Sequence, residues 1–206
     1  HSISAVATMG ILNRDEGSDA ATPGIVRFTS SEQAAGYFML GETTKTSAAG
    51  KDTGKTRSPF TQPFFPLAHG LQAKRFSELA STMPDVGLWM MNTGFVAGDG
   101  QSVKTGRGFK VKIRHSSAML EAMLKDEIVW TTDPDFGYEI VDVDAPENAA
   151  LVEAVGVAIL NPKRHYDASG QGDVYTAWVA RMKEERHAFL TKYDVDSAII
   201  AATVNP

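Results

Sequence analysis

The sequence predicts an α/β chain of mixed α+β character, a mixed sheet flanked by helices. Three observations carry that expectation. Short apolar runs of strand length alternate with stretches of helical period. Gly, Pro, Asn and Asp punctuate the boundaries. The 206 residues are enough for one substantial core. No internal repeat and no interdomain linker stands out, so residues 1–206 read as a single domain.

In chain order, Ile3 to Ile11 reads as a strand, followed by a polar, acidic loop from Asn13 to Gly24. Ser30 and Gln33 have capping-box spacing, and Ala34, Tyr37, Phe38 and Leu40 give a helix an apolar face that stops at Gly41. Residues Gly41 to Pro66 read as one long loop, a length usually reserved for functional or disordered segments. Leu71, Phe76 and Leu79 predict a helix ending before Pro84.

The richest stretch follows. A strand, Gly87 to Met91, ends on Asn92-Thr93-Gly94; a long loop leads to Thr105-Gly106-Arg107; a second strand, Phe109 to Arg114, feeds a helix from Ser116 to Leu124. A buried strand ending in a small-polar-Gly turn puts backbone donors at a sheet edge, where α/β folds bind ligands. Glu127 to Thr131 and Tyr138 to Val143 read as strands around an Asp133-Pro134 turn, and Glu147 to Ala154 as a short helix. Asn161-Pro162 breaks the chain. Asp173 caps a long helix carrying Val174, Trp178, Met182 and Phe189, and Ala201 to Val204 reads as a plain tail.

Composition excludes several functions. A net charge of −5 and a pI near 5.5 argue against a nucleic-acid partner. No run of ~20 apolar residues exists to span a membrane. The absence of cysteine removes disulfides and thiolate metal sites and fits a reducing cytoplasm. The start at His1, with neither initiator Met nor signal-peptide pattern, implies that the chain begins within a larger protein.

Ala49 to Thr56 fits the permissive phosphate-loop pattern, with Lys55 on the phosphates and Thr56 on Mg²⁺. That chemistry needs a strand before the loop and a helix after it. Polar residues precede it, and Pro59, Pro63 and Pro66 follow, so a mobile basic loop is the preferred reading. Lys110, Lys112 and Arg114 recur with period two, as on the solvent face of an edge strand, whereas Arg107 in the loop is the better functional candidate. His69, His115, His165 and His187 lack metal-site spacing. Asp133-Pro134-Asp135 reads as turn chemistry, and Met90, Met91, Met119 and Met123 as core.

The order Asn92-Thr93-Gly94, Thr105-Gly106-Arg107 and Val111-Lys112-Ile113 resembles the C-terminal lobe of ATP-dependent phosphoenolpyruvate carboxykinase. The likeness runs from about Ile25 to Tyr193 and includes Leu40 to Lys45, Pro63 to Gly70 and Ile159 to Tyr166. It implies a nucleotide-binding loop at Gly54, Lys55, Thr56, Arg57 and Ser58, and a site floor at Asn92, Thr93, Gly94 and Arg107. It further implies ATP as ligand, Mg²⁺ and Mn²⁺ as the intact family's ions, and the N-terminal remainder of the same protein as partner. The family's nucleotide-loop arginine is replaced here by Thr53, and the tryptophan after Asn-Thr-Gly by Phe95. The family's phosphate loop, metal ligands and oxaloacetate-binding arginine lie upstream of the resembling part. No catalytic or metal residue is therefore assigned here, and the chain alone is expected to be inactive. The rival expectation is a non-catalytic scaffold, a regulatory or oligomerisation module that has lost the chemistry.

Overall fold

The computed structural model describes residues 6–45, 54–60 and 62–205. Five strands form the main sheet in the order β1 (Thr8–Asn13), β5 (Gly87–Asn92), β2 (Ile25–Arg27), β9 (Glu139–Val141), β8 (Trp130–Thr132). β1 and β5 run parallel, while β2, β9 and β8 join antiparallel. The mixed sheet is therefore as expected. Of the predicted first strand, Ile3 lies outside the described residues.

The two-residue period of the strands divides the core. Ile11, Val26, Met90 and Ile140 face one side, under helices α1 (Ser31–Leu40) and α8 (Gly172–Lys192), where Tyr37, Leu40, Trp178 and Met182 meet them. Ile25, Met91 and Val141, their alternates, face α4 (Ile113–Leu124), α5 (Ala149–Val155) and α6 (Val157–Leu160), where Met119, Val155 and Ile159 pack. One helix layer on each face buries both sides of a short sheet.

α1 starts and stops as the sequence predicts. Ser30 Oγ accepts from Gln33 N at 3.0 Å, and Gly41 takes the left-handed conformation that ends the helix. The Gln33 side chain accepts from Thr29 N rather than from Ser30, and also donates to Phe136 O at 2.9 Å.

Several expectations need correction. The loop from Gly41 onward contains a hairpin, β3 (Thr43–Lys45) against β4 (Gly54–Thr56). The strand after Arg107 is only Phe109–Lys110 (β7), paired with β6 (Phe95–Val96); α4 begins three residues earlier than Ser116. His115 is the cause, since its buried ring accepts from Lys112 N at 3.3 Å and holds the first turn there. Lys112 and Arg114 thus cap and open a helix, and the period-two reading of the lysines fails. Asp173 sits in the first turn of α8 and does not cap it.

The supposed tail is helix α9 (Ser197–Val204), capped by Asp196 and packed on α1. A Cβ on Gly36 would lie 1.8 Å from Thr203 Oγ1, so glycine is what allows the two helices to approach.

α2 (His69–Ser81) turns Ala73 inward but leaves Leu71 and Leu79 exposed. β1 is an edge strand whose Val6 approach, Met9 and Leu12 are exposed. Between β1 and α2 lies a hollow of about 260 Å³ lined only by apolar residues, among them Val6, Met9, Phe76, Leu79 and Met83. The remaining elements, α3 (Gly100–Lys104) and α7 (Pro162–Ala168), flank the β6–β7 pair. Asn161 caps α7 through Arg164 N, so Asn161-Pro162 starts a helix as well as ending one. No helix among the described residues is long and apolar enough to cross a membrane.

Candidate functional site

β1 and β5 finish side by side, at Asn13 and Asn92, and open sheets bind ligands outside the carboxyl ends of parallel strands. Thr93 locks the two ends together, its N and Oγ1 both donating to Asn13 O at 2.8 and 2.9 Å. Asn92 is fully buried and braces this rim from beneath. Its Oδ1 accepts from Asp15 N at 3.1 Å and Gly94 N at 2.8 Å, while its Nδ2 donates to Thr22 O and Phe95 O. A Cβ at Gly94 would meet Asp15 O at 2.0 Å, which explains the glycine of the Asn-Thr-Gly turn.

Asp15, which sequence reasoning passed over inside a polar loop, joins the rim to the hairpin. Its Oδ2 accepts from Thr22 N and Oγ1, at 3.1 and 2.7 Å. Its Oδ1 pairs with Lys55 Nζ at 2.8 Å. Gly54 and Asn92 therefore belong to one region, connected by Lys55 and Asp15. Thr56 lies in β4 opposite Thr43, with a strand rather than a helix head holding Lys55 and Thr56. That geometry does not form a phosphate loop; Ala49 to Thr53 of the pattern lie outside the described residues.

Arg57 is committed elsewhere. Its Nε donates to Glu42 Oε1 and its Nη1 to Glu185 Oε2, both at 2.8 Å. Glu42 in turn accepts from Arg186 Nε and Nη2 at 3.0 and 2.7 Å, and Arg186 Nη1 donates to Tyr37 Oη at 3.0 Å. Burial pushes the Glu42 carboxyl up, but Arg186, with Lys55 and Arg57, outweighs it and holds the group well below the usual carboxylate range. Burial pushes the Tyr37 phenol far up, so it stays protonated. Ser58 is exposed, its N donating to Leu40 O and its hydroxyl touching the Gln62 side chain.

Arg107 stands apart. It lines a hollow of about 580 Å³ with Ser18, Phe109, His165 and Gln171, and neither residues 54–58 nor 92–94 reach that lining. Its Nε donates to Thr105 Oγ1 at 3.2 Å. Burial lowers the His165 pKa, favouring the neutral ring.

Nearer the rim are two cations the sequence did not single out as a pair. Arg14, bridged to Thr43 of the hairpin, lies with its guanidinium carbon 5.4 Å from the Phe95 ring centroid. Lys110 Nζ lies 4.2 Å from the same centroid and donates to Thr93 O at 3.2 Å. Among the described residues no group of three His, Asp or Glu side chains is placed to hold a metal ion, so the donor set for Mg²⁺ or Mn²⁺ is not found there. Asp133 and Asp135 form a turn, Asp133 Oδ1 accepting from Asp135 N and Phe136 N.

A sequence model described as phosphoenolpyruvate carboxykinase matches residues 18–147, well over half of the chain. The chain belongs to that family. One curated relative is the phosphoenolpyruvate carboxykinase (ATP) of Aeropyrum pernix, 28% identical over 170 residues. The match takes in 82% of this chain and 29% of the relative, so the chain spans under a third of that carboxykinase's length. The matched span holds the hairpin, the Asn92–Gly94 turn, Arg107 and Lys110; Arg14 and Asp15 lie just before it.

Proposed function

We propose that this chain is the nucleotide-side wall of an ATP-dependent carboxykinase cleft. In that reading the intact enzyme converts oxaloacetate and ATP to phosphoenolpyruvate, carbon dioxide and ADP. Another part of the polypeptide supplies the phosphate loop, the ions and the oxaloacetate site. The observation that carries the reading is the Lys55–Asp15–Asn92 link, which ties the hairpin to the carboxyl ends of two parallel strands. ATP would lie across this rim, with residues 54–58 on one side and 92–94 on the other. Phosphoryl transfer depends on several cations positioned around the phosphates, and one wall cannot supply them.

Titrating ATP into the 206-residue chain while following amide resonances tests this. Both the 54–58 and the 92–94 resonances should move together; saturating ATP that leaves both unmoved overturns the assignment. In a coupled assay with ATP, Mg²⁺, Mn²⁺ and oxaloacetate the chain alone should show no turnover, and measurable turnover would refute its being only a wall.

A second reading has its own support. Lys55 and Arg57, the loop's two described cations, are each neutralised by internal carboxylates. Such ties suit a scaffold that keeps the family's architecture without its chemistry, and this reading predicts no ATP response at all.

A further inference from the structure

We infer that the hollow walled by Arg107, His165 and Gln171 is a binding site for a small phosphorylated polyol, separate from the rim and on the other face of the β6–β7 pair. Nothing in this site depends on the nucleotide-wall reading.

The hollow holds about 580 Å³, inside the roughly 300–1,000 Å³ range of small-molecule pockets. Phe109 borders it, while Lys110, the next residue of β7, belongs to the rim; successive strand residues point to opposite faces. Backbone contacts fix both walls. On one side residues 98–108 close on themselves. Gly17 N donates to Gly98 O at 3.1 Å, Arg107 N and Gly108 N donate to Ser102 O at 2.9 and 3.2 Å, and a Cβ on Gly108 would lie 3.1 Å from Gly98 Cα. Compact loops whose ends touch in this way are frequently functional. Ala97 lines the same wall at φ 53° without being glycine, strain of the kind that collects at ligand sites. On the other side the chain leaves α7 through Gly170 at φ 71°, and Gln171 N donates to Tyr166 O at 2.8 Å.

The lining selects the ligand. The chain carries a net charge of −5, yet among the described residues no Asp or Glu lines this hollow. Arg107 supplies the positive charge. Its Nε donates to Thr105 Oγ1, which orients the guanidinium, and among the described residues its terminal nitrogens have no carboxylate partner. Two parallel donors of that kind match the oxygens of a phosphate. His165 stands against the Phe109 ring, centroids 4.8 Å apart, and among the described residues neither of its ring nitrogens has a hydrogen-bond partner. Burial keeps the imidazole neutral, so it offers one donor and one acceptor, the pair that a sugar hydroxyl can use. Gln171 Oε1 lies 3.4 Å from Ser169 Oγ, which leaves Gln171 Nε2 as a further donor. An apolar ligand would leave these groups unpaired, and a bare phosphate would leave His165 and Gln171 unused. A phosphate carried on a short chain of hydroxyls engages them all.

Calorimetric and amide-resonance titration of the 206-residue chain with mannose 6-phosphate, mannose and inorganic phosphate tests the site. Mannose 6-phosphate should bind one to one, moving the resonances of Arg107, His165 and Gln171 and leaving 54–58 and 92–94 in place. Mannose should not bind detectably, and phosphate should bind at least about threefold more weakly than the ester. Arg107→Gln should weaken the ester about tenfold or more, and Arg107→Lys should recover part of that loss. Arg107 is exposed, so both variants should melt with the wild type. His165→Phe keeps a ring against Phe109 but loses both nitrogens. It should weaken the ester about threefold or more and leave phosphate unchanged, a selectivity not expected of a residue that only packs. No ester bound at millimolar concentration, or equal binding by wild type and Arg107→Gln, overturns the site. Phosphate and ester bound alike, with His165→Phe silent, overturns the polyol assignment. Shifts confined to 92–94 would put the ester on the rim and overturn the hollow as its seat. An ATP response at 54–58 and 92–94 beside a silent hollow leaves the nucleotide wall standing while this site falls.

Discussion

The Glu42–Arg186 pair offers the sharpest test of the packing. Both side chains are at most 3% exposed, and the carboxylate receives donors from Arg186 twice and from Arg57 once. Glu42→Gln preserves the shape but leaves two guanidinium groups facing a neutral amide, one of whose edges is itself a donor. Removing one partner of a buried pair costs about 3–5 kcal/mol, because the remaining charge is stranded away from water. For a chain of this size about 2–4 °C accompany each kcal/mol, so the melting temperature should drop by roughly 6–20 °C. Urea unfolding followed by far-UV circular dichroism measures the free energy directly.

The same pair fixes an acid limb. Glu42 titrates well below its ordinary value of 4.5 in the folded chain, so between those two values the unfolded chain binds more protons. Its contribution is complete above pH 4.5 and fades as the pH falls toward the folded value. Glu42→Gln should flatten the stability curve in that acid window. A loss under about 1 kcal/mol, or an acid limb as steep as in the wild type, would refute the account of a charge held by its partners.

Other consequences are narrower. Gly36→Ala should cost about 1–3 kcal/mol through the clash with Thr203 Oγ1, and Thr203→Ala should restore part of it, as thermal melts of the single and double variants would show. Gly94→Ala drives a methyl group into the Asp15 backbone, so the Asp15 and Thr93 amide resonances should shift and stability should fall by at least about 2 kcal/mol. Asn148 is buried beside the start of β8 and the end of β9, donating to Val129 O and Asp142 O and accepting from Val129 N. Asn148→Leu should therefore lose about 2–4 kcal/mol in chemical unfolding.

Local signals made much of the fold legible in the sequence. Ser30, Gln33 and Gly41 bound α1 because caps act within one turn, and Gly87 to Met91 is a strand because its apolar run is continuous. Elements governed by distant partners were not legible. The hairpin arms Thr43–Lys45 and Gly54–Thr56 have no apolar alternation, and they are held by pairing with each other and by Lys55 reaching Asp15. The start of α4 depends on the His115 ring, which suppresses the strand that Val111 to Arg114 would otherwise suggest. α9 is apolar nearly all round, so its helical face emerges only against Gly36. At the candidate site, Asn92 to Gly94 could be singled out by their turn chemistry. Arg14, Asp15 and the Glu42–Arg186 pair could not, since 144 residues separate that last couple and nothing in either neighbourhood names the other.

The outer flank of β1 bears on how this polypeptide behaves in a tube. Met9 and Leu12 stand on β1, the outer strand of the main sheet among the described residues, and Met9 also lines the oily recess beside α2. Two such edges meeting in concentrated solution can continue one another's ladder, the usual start of self-association in β-containing domains. Purified at high concentration, the chain should grow in apparent mass with time, and Leu12→Lys should keep it monodisperse without disturbing the rim at the far side of Asn13.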